Sequence, residues 1–322
     1  GEYKLMGLAP YGLANDKQTL EFKEKIVNEL VDIREDGSIL LNMKYFNFAT
    51  GLRMTNNKKW QKLFAIPPRQ SESEISQVYM NMAFAIQSVT EEIVLKLAKT
   101  TREITKCKNL VLAGGVALNS VANGKLLKEN LFDDIWIQPA AGDAGGAIGA
   151  AYSAWHIFKE NEREPSSNYD SMNGAYLGPE FNHKDILKTL NKYKAQYKEY
   201  TNFKELAKDT ANFIANGKVV GWFQGKMEYG PRALGNRSIL GDARDPEMQK
   251  KMNLKIKYRE GFRPFAPSVL EEDVQDYFVL DKSSPYMLFV IPVQPGRRKE
   301  LPDNYGELPL YEKLYYQRSD LP

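Results

Sequence analysis

A run of fixed cations set among glycines and prolines, between Gln224 and Arg263, constrains this 322-residue chain more than any other feature. The run holds ten Lys or Arg against five Asp or Glu, so forty residues carry +5 in a chain whose total is only +3. Arginines beside Gly and Pro lie where the backbone is bent and stiff, so their guanidinium groups can converge on one planar anion. We therefore predict a site for a small, negatively charged ligand.

The cations in this run fall into two groups. Four lysines are spaced as on a solvated helix face, which is the commoner use of such residues: Lys250, Lys251, Lys255 and Lys257. Four arginines flank the Gly and Pro bends and are favoured as ligand contacts: Arg232, Arg237, Arg259 and Arg263.

Composition narrows the protein class. A chain of this length is long enough for two domains of ordinary size. The single cysteine, Cys107, excludes an intramolecular disulfide and a cysteine-built zinc site, and it favours a reducing compartment such as the cytoplasm. No apolar run approaches the roughly 20 residues that span a bilayer, so we expect no membrane partner. The near-neutral total charge argues against a general nucleic-acid binder.

Strand and helix patterns alternate in the first half of the chain. Apolar residues recur at three- and four-residue steps over residues 74–102, which predicts a long amphipathic helix. Residues 109–113 and 134–138 are typical of strands, and residues 116–128 and 147–158 of helices. The order favours an α/β domain with an at least partly parallel sheet.

A polar stretch divides the chain. Residues 159–173 contain few apolar side chains and are predicted to form an exposed linker, which places one domain at 1–165 and the next at 166–322. Helices are predicted at 184–193 and 202–216, and a strand at 218–223 leads into the cationic run. The last forty residues are rich in proline and are predicted to be extended and turn-rich.

Two glycine loops follow the strands of the first half. Gly114 and Gly115 join a strand to a helix, an arrangement that can present backbone N–H groups to a phosphate, although a tight packing turn is an equal alternative. Asp143 stands at the entry to the next helix, either as an N-cap or as a ligand to a cation that bridges phosphate oxygens. The spacing excludes a Walker loop at residues 221–226 and a dinucleotide fingerprint at residues 142–149.

Four blocks of the sequence resemble the NodU/CmcH/TobZ family of carbamoyltransferases: residues 1–12, GEYKLMGLAPYG; residues 112–119, LAGGVALN, with Asn123; residues 139–149, PAAGDAGGAIG; and residues 221–270. The resemblance implies part of an ASKHA domain (actin/hexokinase/Hsp70-like, similar to Kae1) followed by a partial YrdC-like α/β domain. It also implies an internal fragment, since the upstream histidine ligands and the later family blocks are missing from this sequence.

The resemblance implies an ATP-dependent transfer. Carbamoyl adenylate would form from carbamoyl phosphate and ATP in the second domain, and the carbamoyl group would pass to a hydroxyl of a small-molecule or saccharide acceptor in the first. Fixed cations would offset the charge of these dense anions. The catalytic residues would be Lys226, Arg232, Arg237, Arg259, Arg263 and Ser268.

The resemblance also assigns residues in the first domain. Nucleotide contacts would come from Gly114, Gly115 and Asn119, acceptor or ribose contacts from Glu2 and Lys4, and a divalent metal, iron or magnesium, would take Asp143 as a ligand. The fragment alone is expected to bind nucleotide weakly and to transfer no carbamoyl group.

Two other functions compete with this interpretation. A sugar kinase of the same superfamily would also use glycine loops around an acidic residue, but it leaves the cationic run unexplained. A non-catalytic nucleic-acid-binding module would use the cationic run alone. The acceptor and the oligomeric state stay open at this level, because acceptor choice lies in loops for which one sequence offers no code.

Overall fold

The computed structural model describes residues 2–70, 73–164 and 170–320. For Glu2 it describes the backbone only. It is a mixed structure of helices and short strands. None of the helices within these residues is both long enough and apolar enough to cross a membrane.

The first part of the structure, residues 2–158, is built around one long helix. Helix α1 (Glu2–Leu8), α2 (Lys17–Lys25), the antiparallel hairpin of β1 (Val31–Ile33) and β2 (Ile39–Leu41), and α3 (Asn57–Phe64) precede α4 (Gln77–Thr105). Apolar side chains of α2 and α3, such as Phe22 and Phe64, bury against Ala85 and Val89 of α4. The predicted amphipathic helix is confirmed, three residues further along at both ends.

The two predicted strand-turn-helix units are also confirmed. Strand β3 (Asn109–Leu112) leads through a 3-10 turn (Gly115–Leu118) into α5 (Ser120–Lys128), and β4 (Asp134–Ile137) leads into α6 (Asp143–Tyr152), which widens into a π-helical turn to Phe158. The strands are parallel, with Leu110 opposite Ile135.

Helix α6 begins four residues earlier than predicted. The sequence pattern predicts a loop for the glycines at its start, but a Cβ on Gly145 would lie 2.2 Å from the carbonyl oxygen of Ala140. Glycine at this position therefore allows the helix to approach the preceding backbone.

The second part contains α7 (His183–Lys192), α8 (Phe203–Ala215), an antiparallel pair of β5 (Val220–Phe223) and β6 (Arg237–Leu240), α9 (Met248–Lys251, continuing as a π-helical turn to Ile256), α10 (Val274–Tyr277) and α11 (Leu310–Tyr315). Helices α7 and α8 and strand β5 match the prediction. Strand β6 was missed because its residues lie inside the cationic run, and α11 was missed because prolines surround it.

The two parts share a core. Ala117, Ile137 and Ala141 of the first part pack with residues of the second part, namely Met172, Ala175, Tyr286 and Leu288. The Asn123 side chain donates to the Leu288 carbonyl at 3.0 Å, and the Val290 amide donates to the Ser120 carbonyl at 2.9 Å. The predicted linker includes residues 165–169, which lie outside the described residues, and the boundary at 165 stays a prediction.

Candidate functional site

A cavity of about 430 Å³ lies where the two parts meet. One side is formed by α1, α4 and the first glycine loop, and the other by the cationic run. Its lining residues are Tyr3, Leu5, Met6, Ile86, Gln87, Thr90, Gly115, Val116, Leu118, Asn119, Pro231, Arg232 and Arg263. The cavity therefore brings together four residues that the sequence assigned to ligand contacts, Gly115, Asn119, Arg232 and Arg263.

The first wall is the glycine loop, residues 114–119. Gly114 has φ +96° and ψ 160°, a backbone conformation that favours glycine, and its amide donates to the Ala141 carbonyl at 2.8 Å. This bond ties the first glycine loop to the second. A Cβ built on Gly114 or Gly115 would meet no atom within 4 Å, so space is open beside the main chain of both residues.

An amide pair holds the end of this loop. Asn119 accepts from the Ala122 amide as the N-cap of α5, and its side chain exchanges two hydrogen bonds with Gln87 of α4, at 3.0 and 3.1 Å. Gln87 also donates to buried Glu91 at 2.8 Å, and Glu91 pairs with Lys125. The Gln87 side chain of α4 and the Ala122 amide of α5 thus fix Asn119, which supports the loop and lines the cavity.

The second wall is the loop at residues 228–237, which carries Arg232. The Arg232 Nη2 donates to the Leu118 carbonyl across the cavity at 3.3 Å, while its Nε is buried without a hydrogen-bond partner among the described residues. Burial lowers the pKa of the Arg232 guanidinium, which still stays charged near neutral pH. A partly desolvated guanidinium that lines a cavity and makes one long hydrogen bond is suited to binding an anion.

Arg263 completes the charged side of the cavity. Its guanidinium carbon lies 4.8 Å from the centre of the Tyr3 ring of α1, a cation–π contact. Lys4, the next residue of the same helix, forms an ion pair with Glu260 at 2.6 Å, and this pair lowers the pKa of the Glu260 carboxyl. Lys4 therefore fastens α1 to the cationic run, and no ligand contact is needed to explain it.

Arg237 and Arg259 are bonded within the cationic run and are not among the residues that line the cavity. Arg237 donates through Nε to Glu228 at 3.0 Å and through Nη2 to the carbonyls of Gly230 and Arg232 at 2.8 and 3.3 Å. Arg259 donates to Asn253 at 2.6 Å and stacks on Phe265. Burial lowers the pKa of the Arg259 guanidinium, and the positive charge of neighbouring Arg263 lowers it further.

Three predicted site residues lie at exposed positions away from the cavity lining: Lys226, Ser268 and Asp143. Asp143 is the first residue of α6, and Gly142 rather than Asp143 occupies the N-cap position. The side chain of Glu2 lies outside the described residues.

The metal prediction finds no support in the geometry of the described residues. Throughout residues 2–70, 73–164 and 170–320, no three His, Cys, Asp or Glu side chains gather as a metal site. Asp143 is one exposed carboxylate, and a single ligand does not fix a metal ion. The donor set present here therefore does not fit a metal centre on its own.

Two functional features escaped the sequence analysis. Gln87 and Glu91 lie one helical turn apart and are buried at 5% and 6% exposure, so a polar pair interrupts the apolar side of α4 and signals a buried network. Glu228 was counted only as one acid among cations, yet it is the one that organises the loop carrying Arg232.

Comparison with known proteins identifies the family. Residues 1–152 match the model described as carbamoyltransferase N-terminus, and residues 211–305 match the model described as carbamoyltransferase C-terminus. The chain belongs to the carbamoyltransferase family. Both walls of the cavity fall within these matches, since the glycine loop lies in the N-terminal match and Arg232 and Arg263 lie in the C-terminal match.

Several relatives align along nearly the whole chain. An uncharacterized protein of Synechocystis sp., sll1178, is 54% identical over all of this chain and 51% of its own length. Nodulation protein NolNO of Sinorhizobium fredii is 37% identical over 93% of this chain and 41% of its own, and nodulation protein NolO of Bradyrhizobium diazoefficiens is 34% identical over 92% and 50%. The chain thus spans about half the length of these curated relatives.

Proposed function

We propose that this chain forms part of an ATP-dependent O-carbamoyltransferase that takes carbamoyl phosphate as donor and a hydroxylated small molecule or saccharide as acceptor. The family membership supports carbamoyl transfer, and the finer steps belong to the proposal. In the same proposal the first part is an ASKHA domain and the second a YrdC-like domain.

The observation that carries the proposal is that two arginines, the half-buried Arg232 and Arg263, line the same cavity. The Nε of Arg232 has no hydrogen-bond partner in the described structure. Two guanidinium groups line that side of the cavity, and the described carboxylates nearest to them in the chain, Glu228 and Glu260, are paired with Arg237 and Lys4. The charge of Glu260 also acts on Arg263. Among its described lining residues, however, the cavity has two arginines and no carboxylate, which favours an anion such as carbamoyl phosphate or a nucleotide phosphate.

The two walls suit different groups of such a ligand. The arginines would hold phosphate oxygens. In the proposed reaction water releases inorganic phosphate from carbamoyl phosphate, a carbamate oxygen attacks the α-phosphate of ATP, and pyrophosphate leaves as carbamoyl adenylate forms. The arginines would offset the negative charge that develops in that step. The Gly114–Gly115 backbone has space beside it, which lets a ligand lie against the main chain. ATP would supply the adenylyl group that activates the carbamoyl carbon for attack by the acceptor hydroxyl.

No step is assigned to a metal ion, because Asp143 belongs to no group of three or more His, Cys, Asp or Glu side chains among the described residues. Lys226 and Ser268 stay predictions as anion contacts, since both lie at exposed positions outside the cavity lining.

Product analysis tests the proposal. The complete protein is supplied with ATP, carbamoyl phosphate and a panel of hydroxylated acceptors, and mass spectrometry follows the products. We expect carbamoylated acceptor and pyrophosphate, both dependent on ATP and on carbamoyl phosphate. Phosphorylated acceptor formed without carbamoyl phosphate would instead identify a kinase.

A further inference from the structure

We infer that Glu228 and Arg237 are positioning residues that hold Arg232 at the cavity, an inference that rests on the proposed function of that cavity. Neither residue lines the cavity, so neither is assigned a ligand contact.

Glu228 organises the loop from its inner side. Its side chain is fully buried, with 0% exposure, and its Oε1 accepts from the amides of Leu234 and Asn236 at 2.6 and 2.8 Å. Its Oε2 accepts from Arg237 Nε at 3.0 Å. Burial by itself raises the pKa of Glu228, but these donors outweigh it and hold the pKa below its usual value. The carboxylate is therefore charged at neutral pH.

Arg237 links the Glu228 carboxylate to the main chain of Arg232 by hydrogen bonds. With Nε held by Glu228, its Nη2 donates to the carbonyls of Gly230 and Arg232. The bonded carbonyls stand on either side of Pro231, which fixes its own φ and lines the cavity beside Arg232. The bonds run from Glu228 through Arg237 to the main chain of Arg232, whose side chain then points at the Leu118 carbonyl across the cavity.

The charge balance supports the same division of roles. Glu228 and Arg237 neutralise each other inside the loop, so Arg232 keeps its full charge for a ligand. A ligand-binding guanidinium needs its donors free, and Arg237 has two of its nitrogens engaged by the loop. Gly230 and Gly235 have φ of +126° and +112°, conformations that glycine adopts without a steric penalty, so the loop can turn around the Glu228 carboxylate.

The decisive experiment is a binding cycle with carbamoyl phosphate as the probe, measured by calorimetry on the complete protein. The variants are R232M, E228Q and the double variant E228Q/R232M. The glutamine oxygen of E228Q can still accept from Leu234 and Asn236, but its NH₂ faces Arg237 Nε and breaks that bond. The matched control is D242N, which breaks the exposed Asp242–Arg244 ion pair in the same cationic run.

We expect E228Q to weaken carbamoyl phosphate binding about tenfold, R232M about 100-fold, and the double variant no more than R232M alone. D242N should bind as the unaltered protein does. A steady-state assay should show the E228Q loss in the KM for carbamoyl phosphate, with the KM for the acceptor unchanged.

Three other outcomes would overturn either the proposed function of the cavity or the positioning inference. If R232M binds normally, the proposed function of the cavity is wrong. If R232M weakens binding but E228Q does not, the positioning inference alone is wrong. If E228Q weakens binding further when Arg232 is already absent, Glu228 acts on the fold in general, and the inference is again overturned. Circular dichroism at the assay temperature identifies a variant that has unfolded, in which case R237K replaces E228Q in the same cycle and must show the same dependence on Arg232.

Discussion

The two walls of the cavity hold their shape by different means. Residues 228–237 are fixed by a buried carboxylate and an arginine, and they present a charged side chain to the cavity. Residues 114–119 are fixed by a backbone bond to Ala141 and by the Gln87–Asn119 amide pair, and they present main chain with open space beside it. One wall supplies charge and the other supplies room, and a phosphate-bearing ligand needs both.

The largest effect should come from the charged wall. R232M removes the half-buried guanidinium but keeps a long side chain, and we expect kcat/KM for carbamoyl phosphate to fall about 100-fold, a loss of about 3 kcal/mol. Folding should be little affected, because Arg232 makes one long hydrogen bond at 3.3 Å. R244M is the control from the same run, where the Arg244 side chain is 72% exposed, and it should leave kcat/KM unchanged. Equal losses in both variants would show that total charge matters and not the cavity.

The amide pair gives the next largest effect, on stability. Q87L leaves the Asn119 Nδ2 and the Glu91 Oε1 without the hydrogen bonds they make with Gln87, and we expect the free energy of unfolding to fall by about 2 kcal/mol. Urea denaturation measures the change. T90V, one turn along α4, removes only a bond to the Ile86 carbonyl of the same helix and should cost far less. A loss in Q87L no greater than that in T90V would contradict a structural role for the pair.

The two glycines of the same wall should separate stability from binding. Alanine at Gly114 must adopt φ +96°, and we expect G114A to lower the free energy of unfolding by about 1.5 kcal/mol. G115A should leave the free energy of unfolding nearly unchanged, because its Cβ meets no atom within 4 Å. It should weaken the binding of a ligand that lies against this backbone. Thermal unfolding and calorimetry on both variants check the pair. Normal binding of carbamoyl phosphate by G115A would show that the ligand does not use the space beside the glycine loop, which contradicts the role given to this wall.

The smallest effect concerns pH. Since the Glu228 pKa is lowered in the folded protein, its contribution to stability is complete above the ordinary value of 4.5 and is lost as the pH falls from there through the lowered value. The stability difference between the unaltered protein and E228Q should therefore shrink as the pH falls below about 4.5. Urea midpoints at several acidic pH values measure it, and a difference that grows on acidification would show that Glu228 is not ionised in the fold.

Much of the fold could be predicted from the sequence where periodicity is strong. Helix α4 and the two strand-turn-helix units carry clear apolar repeats, and the structure places them within a few residues of the prediction. Strand β6 could not be recognised, because Arg237 at its start looks like a site residue until its pairing with β5 is known. The short helix α1 offered no periodic signal over its seven residues.

The site was predictable in type but not in detail. Residue chemistry and the bends at Gly and Pro pointed to anion-binding arginines, and Arg232 and Arg263 do line one cavity. The same reasoning could not separate them from Arg237, because only the fold reveals that Glu228 takes up its charge. Distance along the chain likewise hid the meeting of Leu118 with Arg232, which lie 114 residues apart.

A crystal structure of the complete protein soaked with carbamoyl phosphate tests the central claim most directly. We expect the phosphate group between the guanidinium groups of Arg232 and Arg263, with the glycine loop at Gly115 against the ligand and Arg237 still bonded to Glu228. A phosphate bound instead beside Lys226 or Ser268, with only solvent between Arg232 and Arg263, would contradict the account.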